Sequence, residues 1–380
     1  MGGLNGFDNV EKWSLVSSRA VIMTAISCSA LVILASILLY RRSITTRAKI
    51  TRIFVHPIKS CRGTSVLSCE YTPTGLRNDR TFVIIDKETH RTVTARDIPK
   101  MVLVHPHIDD GGILRIQFPE DSGMSPLLVP LEPSPEVLAD WKRIEDVQIW
   151  SHTTDGYICQ SVDKNGIDPS TALSKYLGKD VFLMFKGPTT RHVGPPAAFP
   201  HFQSAAVFQD GYALLIASEE SLVDVQQKVN LSANGVEGWS INGVAGVWEG
   251  EIVMERFRPN IVIEGAGKPY AEEEWEEVVC CGKSEAGNKN ASSEYGRMIL
   301  VSRCTRCQLP NIEPTTGVQH KHVPYKVLAK YRRVDPLNPY TPCFGVNAVP
   351  KESGIYRVGD TITVAKYAKA GKLPTKPGSK

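Results

Sequence analysis

Hydrophobic and polar positions alternate in short runs from Ile50 onward. "ITRIFVH" (50–56), "RTFVIID" (80–86), "TVTAR" (92–96), "MVLVHPHI" (101–108), "GILRIQF" (112–118) and "LLVPL" (127–131) are separated by Gly, Pro and Asp clusters. A two-residue period broken by turn residues predicts the strands of a β-sandwich or barrel. "PSTALSKYLGK" (169–179) predicts a short helix, and the apolar run "VFLMF" (181–185) a strand after it. "KGPTTRHVGPPAAFPHF" (186–202), rich in proline and glycine, predicts a linker or crossing loop. Across 212–229 a strand runs into a helix: Leu222, Val225 and Val229 share one face, Ser218 is its N-cap, and Glu219 and Glu220 suit its first turn. Further strands are expected at 260–265, 298–303 and 356–364, with a helix at 324–333 whose cations lie at its C-terminal end. The Gly/Asn/Ser-rich stretches 230–250 and 281–297 read as loop insertions, and the lysine-rich tail after Val364 as disordered. The expected fold is mixed α/β and β-rich.

One stretch breaks the alternation. "AVIMTAISCSALVILASILLY" (Ala20–Tyr40) is 21 residues without a charge, and a helix of that length spans roughly 30 Å, a bilayer core. It exceeds the apolar core of a signal peptide, and Tyr40-Arg41-Arg42 offers no small-residue cleavage site. Asp8 and Glu11 before it do not suit a matrix-type transit peptide. An uncleaved transmembrane anchor at 20–40 is therefore expected, after an N-terminal tail at 1–19. Arg41, Arg42, Arg47, Lys49 and Arg52 follow the span, against Lys12 and Arg19 before it. The positive-inside bias then turns the large C-terminal body toward the cytosol.

The 380 residues allow about two to three domains. A net charge of +4 is small and dispersed, and gives no reason to expect nucleic acid. The nine cysteines are an odd number, which agrees with a reducing compartment.

The most specific candidate chemistry lies in "SRCTRCQLPNIEPTTG" (302–317). Cys304 and Cys307 form a Cys-x-x-Cys pair, open to four readings. A structural zinc site needs a second pair of ligands, and only the adjacent Cys280-Cys281 stands near in sequence. A redox couple needs a helix at the first cysteine, which Pro310, Pro314 and Gly317 oppose. One thiolate holding a soft metal, and an ordinary buried loop cysteine, remain. Arg303 and Arg306 would keep a thiolate ionised and hold an anion near it. Lys59 and Ser60 in "HPIKSCRG", Arg80 in "GLRNDR", and Arg258 with Asn260 in "RFRPNIVI" also stand at strand ends. Guanidinium forks there suit a phosphate.

In this order "VHPIKSCRG", "GLRNDRTFVI", "TVTAR", "RFRPNIVI", "RCTRCQLPNIEPTTG" and a late "VGD" resemble the MOSC-domain proteins. More narrowly they resemble the mitochondrial amidoxime reducing components. The resemblance covers roughly residues 50 to 365 and implies an N-terminal β-barrel domain (48–190), a MOSC barrel domain with peripheral helices (198–366), and a flexible tail (367–380). It implies a molybdenum–molybdopterin cofactor, with Cys307 as metal ligand and catalytic centre, and Lys59, Ser60, Arg80, Arg258, Asn260, Thr305 and Arg306 holding the cofactor. Arg96 and Glu313 are outer candidates. It further implies reduction of N-hydroxylated substrates (amidoximes, hydroxamic acids, nitrite), with electrons from NADH through cytochrome b5 reductase and cytochrome b5. It places the anchor in the mitochondrial outer membrane, although hydropathy alone fits the endoplasmic reticulum as well. The alternatives are a molybdenum cofactor carrier or sulfuration module and a non-enzymatic zinc-binding membrane adaptor. The sequence departs from the family at Asp210-Gly211-Tyr212-Ala213, where the family has a polar Thr/Ser-Pro-Phe turn, and at Asn347, where it has an aromatic. No cofactor contact is expected from either.

Overall fold

The computed structural model describes residues 46–163, 166–282 and 294–369. The expected anchor at 20–40 and most of the tail lie outside the described residues. Among the described residues no helix is long and apolar enough to cross a membrane.

The first half begins with β1 (Arg47–Val55), three short strands β2 (Thr64–Val66), β3 (Ser68–Thr72) and β4 (Gly75–Leu76), then β5 (Phe82–Asp86). β6 (His105–Ile108), β7 (Ile113–Gln117) and β8 (Leu127–Pro130) form an antiparallel meander. Helix α1 (Pro135–Ala139), the hairpin β9 (Arg143–Ile149)–β10 (His152–Ile158), helix α2 (Pro169–Leu177) and β11 (Val181–Lys186) follow. The sheet β5-β11-β10-β9 and the sheet β6-β7-β8 share one core, in which Phe82, Ile84 and Leu183 meet Leu114, Ile116 and Val129. Among the described residues, the first half thus packs two sheets across one core.

Two local expectations fail for stated reasons. In 92–96 only an isolated bridge of Thr92 to Ile85 forms, and the chain turns from Ala95, because the Asp97 carboxylate accepts from both the Thr94 amide and its hydroxyl. The strand expected from Met101 starts only at His105, because Pro99 opens a 3-10 turn through Leu103. The helix at 169–179 is present as α2, capped by Asp168 and ended by left-handed Gly178.

In the second half β12 (Arg191–Val193) pairs with β13 (Ser204–Ala206), so the stretch read as a linker carries one strand of a small ribbon. Then come β14 (Leu214–Ser218), α3 (Glu219–Ala233), β15 (Ile261–Glu264), β16 (Trp275–Cys281) and β17 (Glu294–Thr305). Helix α4 (Tyr325–Tyr331), β18 (Cys343–Pro350), β19 (Gly354–Arg357) and β20 (Thr361–Tyr367) complete it. β14 and β15 run parallel, which requires a crossover, and α3 supplies it. Ser218 caps α3 as expected, its hydroxyl accepting from the Ser221 amide at 3.3 Å. Val225 and Val229 bury against Val327 and Leu328 of α4.

Seven strands close a barrel in the order β15-β14-β18-β17-β16-β20-β1, with β1 pairing back onto β15. Ile50, Ile53, Ile216, Ile261, Ile263, Leu300 and Val346 fill it. The closing strand, Arg47–Val55, comes from the first half of the sequence, so the two halves share this barrel.

Candidate functional site

The site forms where strand ends and turns of both halves meet. The turn after β1 is tied to the start of β5 by three backbone bonds: Lys59 N to Phe82 O (2.9 Å), Phe82 N to Pro57 O (2.9 Å) and Arg80 N to His56 O (2.7 Å). On the other side, Phe54 N donates to Asn260 O and Asn260 N to Leu215 O, both at 2.8 Å. Arg306 N donates to Pro342 O, also at 2.8 Å, just after β17 ends. These bonds gather the ends of β1, β5, β14, β15 and β17 around one cavity. Lys59, Ser60, Arg80, Arg258, Asn260, Thr305, Arg306 and Cys307 all line it, together with Cys304. Every site residue expected from the sequence therefore faces the same space.

Ser60, Arg80 and Arg258 hold left-handed backbone, with φ of 68°, 53° and 57°. Such conformations cost about 1–3 kcal/mol each for residues with a Cβ and persist where surrounding contacts enforce them. Arg80 reaches across the cavity wall, donating from Nη1 to Asn260 Oδ1 (3.2 Å) and from Nη2 to Arg258 O (3.1 Å), and it is also paired with buried Asp79. Asn260 is almost fully buried: Oδ1 also accepts from Leu215 N (3.1 Å), and Nδ2 donates to Phe54 O (3.3 Å). It braces β1, β14 and Arg80, so its part is to position the cation. Arg306 donates from Nη2 to Phe257 O (2.7 Å) and from Nη1 to Cys304 Sγ (3.0 Å). Cys307 is exposed and Cys304 half-buried.

Electrostatics at the cavity follow from burial. Burial and the charge of Arg80 push the Arg258 guanidinium down to about 10, which leaves it charged at neutral pH. Burial, with the charges of Arg258 and Arg80, drives the His56 imidazole down to about 3, so it is neutral. Burial raises the Cys61 thiol to about 12, despite nearby Arg258, and removes it as a candidate thiolate. Burial also lowers Lys59, against the opposing pull of Asp210.

The two departures noted in the sequence turn out to line the cavity. The Lys59 ammonium is paired with the Asp210 carboxylate and donates to Phe208 O at 2.8 Å. Gly211, Tyr212 and Asn347 also line the wall, and Asn347 Nδ2 donates to Ser302 Oγ at 3.0 Å. Of the outer candidates, Arg96 reaches the cavity, whereas Glu313 pairs with Arg256 elsewhere. Trp150 and Gln209 were missed. The available signal for Trp150 was an aromatic closing the alternating run "RIEDVQI" (143–149), a strand that the sequence reading left unassigned.

The donor set fits an anionic cofactor with a soft metal. Arg258 Nη2 and Arg306 Nε are buried with no hydrogen-bond partner among the described residues. Buried donors are rarely left unmatched, so a ligand acceptor suits these positions. Cys307 adds an accessible sulfur among cations, the setting in which thiolates bind soft metals. Asp210 is the one acidic group among the lining residues. Among the described residues, no group of three or more His, Cys, Asp and Glu side chains gathers as a metal cage.

A seven-stranded barrel that takes its closing strand from the first half, with a cationic, cysteine-bearing cavity at the strand ends, defines the class. Residues 47–180 match the MOSC N-terminal beta barrel domain and residues 201–363 the MOSC domain, and the chain belongs to the MOSC-domain proteins. It is similar to mitochondrial amidoxime reducing component 2 of Rattus norvegicus, 26% identical over 85% of each chain. It is also similar to mitochondrial amidoxime-reducing component 1 of Homo sapiens, 28% identical over 85% of this chain and 84% of that one. The molybdenum cofactor sulfurase of Solanum lycopersicum is 30% identical over 75% of this chain, which corresponds to 31% of the sulfurase.

Proposed function

We propose that this protein is a molybdenum-cofactor reductase of N-hydroxylated compounds such as amidoximes and hydroxamic acids. The observation that carries the reading is the convergence of Lys59, Arg80, Arg258, Arg306 and Cys307 on one cavity. When bound, the cofactor supplies two-electron exchange at molybdenum and the cleavage of the N–O bond. The chain's own residues bind, orient and tune it. Arg258 and Arg306 offer their unmatched nitrogens to the anionic part of the cofactor, and Cys307 is the proposed metal ligand. Ser60 and Thr305 add hydroxyls to the wall. Asn260 and Asp79 hold Arg80 in place from behind. The leaving hydroxyl would take one proton to depart as water and the nitrogen one more, and the Lys59 ammonium, its proton affinity lowered by burial, is a proton source on the wall.

The sequence carries neither a dinucleotide fingerprint nor a haem motif, so the electrons would come from outside the chain; the family resemblance names the donors as NADH, cytochrome b5 reductase and cytochrome b5. A cytosol-facing body held by the 20–40 segment in the mitochondrial outer membrane completes the proposal, and the names of the relatives support its mitochondrial part. The second reading, a cofactor carrier or sulfuration module, is favoured by the similarity to the tomato sulfurase.

Metal analysis of the purified protein tests the site. The expectation is about one molybdenum per chain, lost in Cys307→Ala and kept in Cys304→Ala. Equal dependence on both cysteines, or zinc without molybdenum, would sink it. Benzamidoxime reduction with NADH, cytochrome b5 and its reductase separates the two functions, since no turnover by molybdenum-loaded protein favours the carrier.

A further inference from the structure

Three aromatic rings line the cavity, and they differ in kind. Tyr212 and Phe257 are buried, whereas Trp150 is 48% exposed. Trp150 sits in the tight connection between β9 and β10 with φ of 54°, a left-handed backbone that bulky residues seldom adopt. Packing does not explain this. Its neighbour Ile149 points into an apolar cluster with Val147 and Ile144, while Trp150 belongs to none of the apolar clusters.

Polar anchors fix the ring instead. Nε1 donates to Asp210 Oδ1 at 3.0 Å, the Arg96 guanidinium carbon lies 4.4 Å from the ring centroid, and the Lys59 ammonium lies 6.0 Å from it. Asp210, which stands where the family has a neutral turn, thus joins Lys59 to the indole edge. A large half-exposed ring on unfavourable backbone, clamped by three charged residues at a ligand cavity, is a rigid aromatic wall facing that cavity. Flat conjugated molecules gain by stacking on such a wall, and saturated chains gain far less.

We propose that Trp150 is the platform on which this protein's substrate lies, selecting N-hydroxylated compounds built on a planar aromatic or conjugated frame over those built on a saturated chain. The proposal rests on the reductase reading above. It makes Trp150 a specificity-determining residue of that site.

The test compares benzamidoxime with acetamidoxime, which present the same reducible group on a flat ring and on a methyl group. Full-length holoprotein carrying Trp150→Asn removes the ring, and asparagine accepts left-handed backbone readily. The expected result is a rise in KM for benzamidoxime of about three- to tenfold. KM for acetamidoxime, both kcat values and the molybdenum content should stay within about twofold. Trp150→Phe, which keeps a ring, should restore most of the preference. An equal rise for both substrates, or no rise, overturns the proposal. Loss of molybdenum from Trp150→Asn also overturns it, because Trp150 would then belong to the cofactor's seat.

A second readout needs no turnover. Benzamidine should quench tryptophan fluorescence of the wild-type holoprotein, acetamidine should not, and the quenching should vanish in Trp150→Phe. Quenching in a protein that reduces neither amidoxime leaves the platform standing and removes the reductase reading. Turnover without quenching and without a KM difference removes the platform alone.

Discussion

Ser60, Arg80 and Arg258 share one backbone signature, left-handed φ at a strand end, and all three face the cavity. Their residue types were legible as cations and a hydroxyl beside strands. Their strained backbone was not, because it is enforced by bonds between segments distant in sequence, such as Arg80 Nη2 to Arg258 O at 3.1 Å. Asn260 shows the same limit. The family resemblance implies a cofactor contact for it, and the bonds of its side chain to Arg80, Leu215 and Phe54 are a further role that the sequence does not display. Asn260→Ala removes a bond from each of those three groups, although Arg80 keeps Asp79, and should lower the free energy of unfolding by about 2–4 kcal/mol. Urea unfolding checks this, and the same variant should retain less molybdenum, since Arg80 loses its brace.

At the scale of elements, the start and the buried face of α3 were read, although it runs on to Ala233, into the stretch expected as a loop insertion. Its cap, its acidic first turn and its Val225–Val229 face are all local properties. What lies behind the cap was not readable. The Ser218 and Ser221 hydroxyls donate to the Glu272 carboxylate at 3.0 and 3.1 Å, and Glu272 is fully buried. Burial raises its carboxyl to about 7 from an ordinary 4.5. A raised carboxyl favours the folded state most at low pH, and that contribution declines as pH climbs from about 4.5 to about 7. The full swing is about 3 kcal/mol. Glu272→Gln should therefore leave stability near wild type at pH 5 and raise it at pH 8, as measured by urea midpoints at both pH values. The hairpin β9–β10 was missed although Ile144, Val147 and Ile149 alternate imperfectly along it, because charges interrupt the pattern. It carries Trp150, so the unread element also hid part of the site.

For the whole molecule the decisive fact is that β1 closes the barrel between β15 and β20. The boundary between the halves is clear in sequence, with a Pro/Gly-rich crossing near 186–202 and family matches on either side. The halves are nonetheless mechanically one body, since residues Arg47–Val55 supply backbone partners to strands of the second half. A polypeptide of residues 201–380 alone should show no cooperative unfolding transition. Without β1, β15 and β20 become open edges with unpaired backbone groups. Co-expression with residues 46–200 should restore the transition and soluble yield. A stable, cooperative 201–380 fragment would contradict the shared barrel.

Local chemistry in the sequence determined most of the stretches that become strands, where α2 and α3 begin, and which residue types gather at strand ends. Lys59, Arg80, Arg258 and Arg306 were readable because their motifs are contiguous and each fragment carries its own chemistry, whereas the choice of Cys307 over Cys304 came from the family resemblance. Only the tertiary structure decided what those residues face and who holds them. It put Asp210 against Lys59, Asn260 behind Arg80, Arg306 on Cys304 rather than Cys307, and Trp150 on the wall. These partners lie far apart along the chain in all but the Arg306–Cys304 pair, and long-range pairing is settled by barrel closure, a property of all seven strands together.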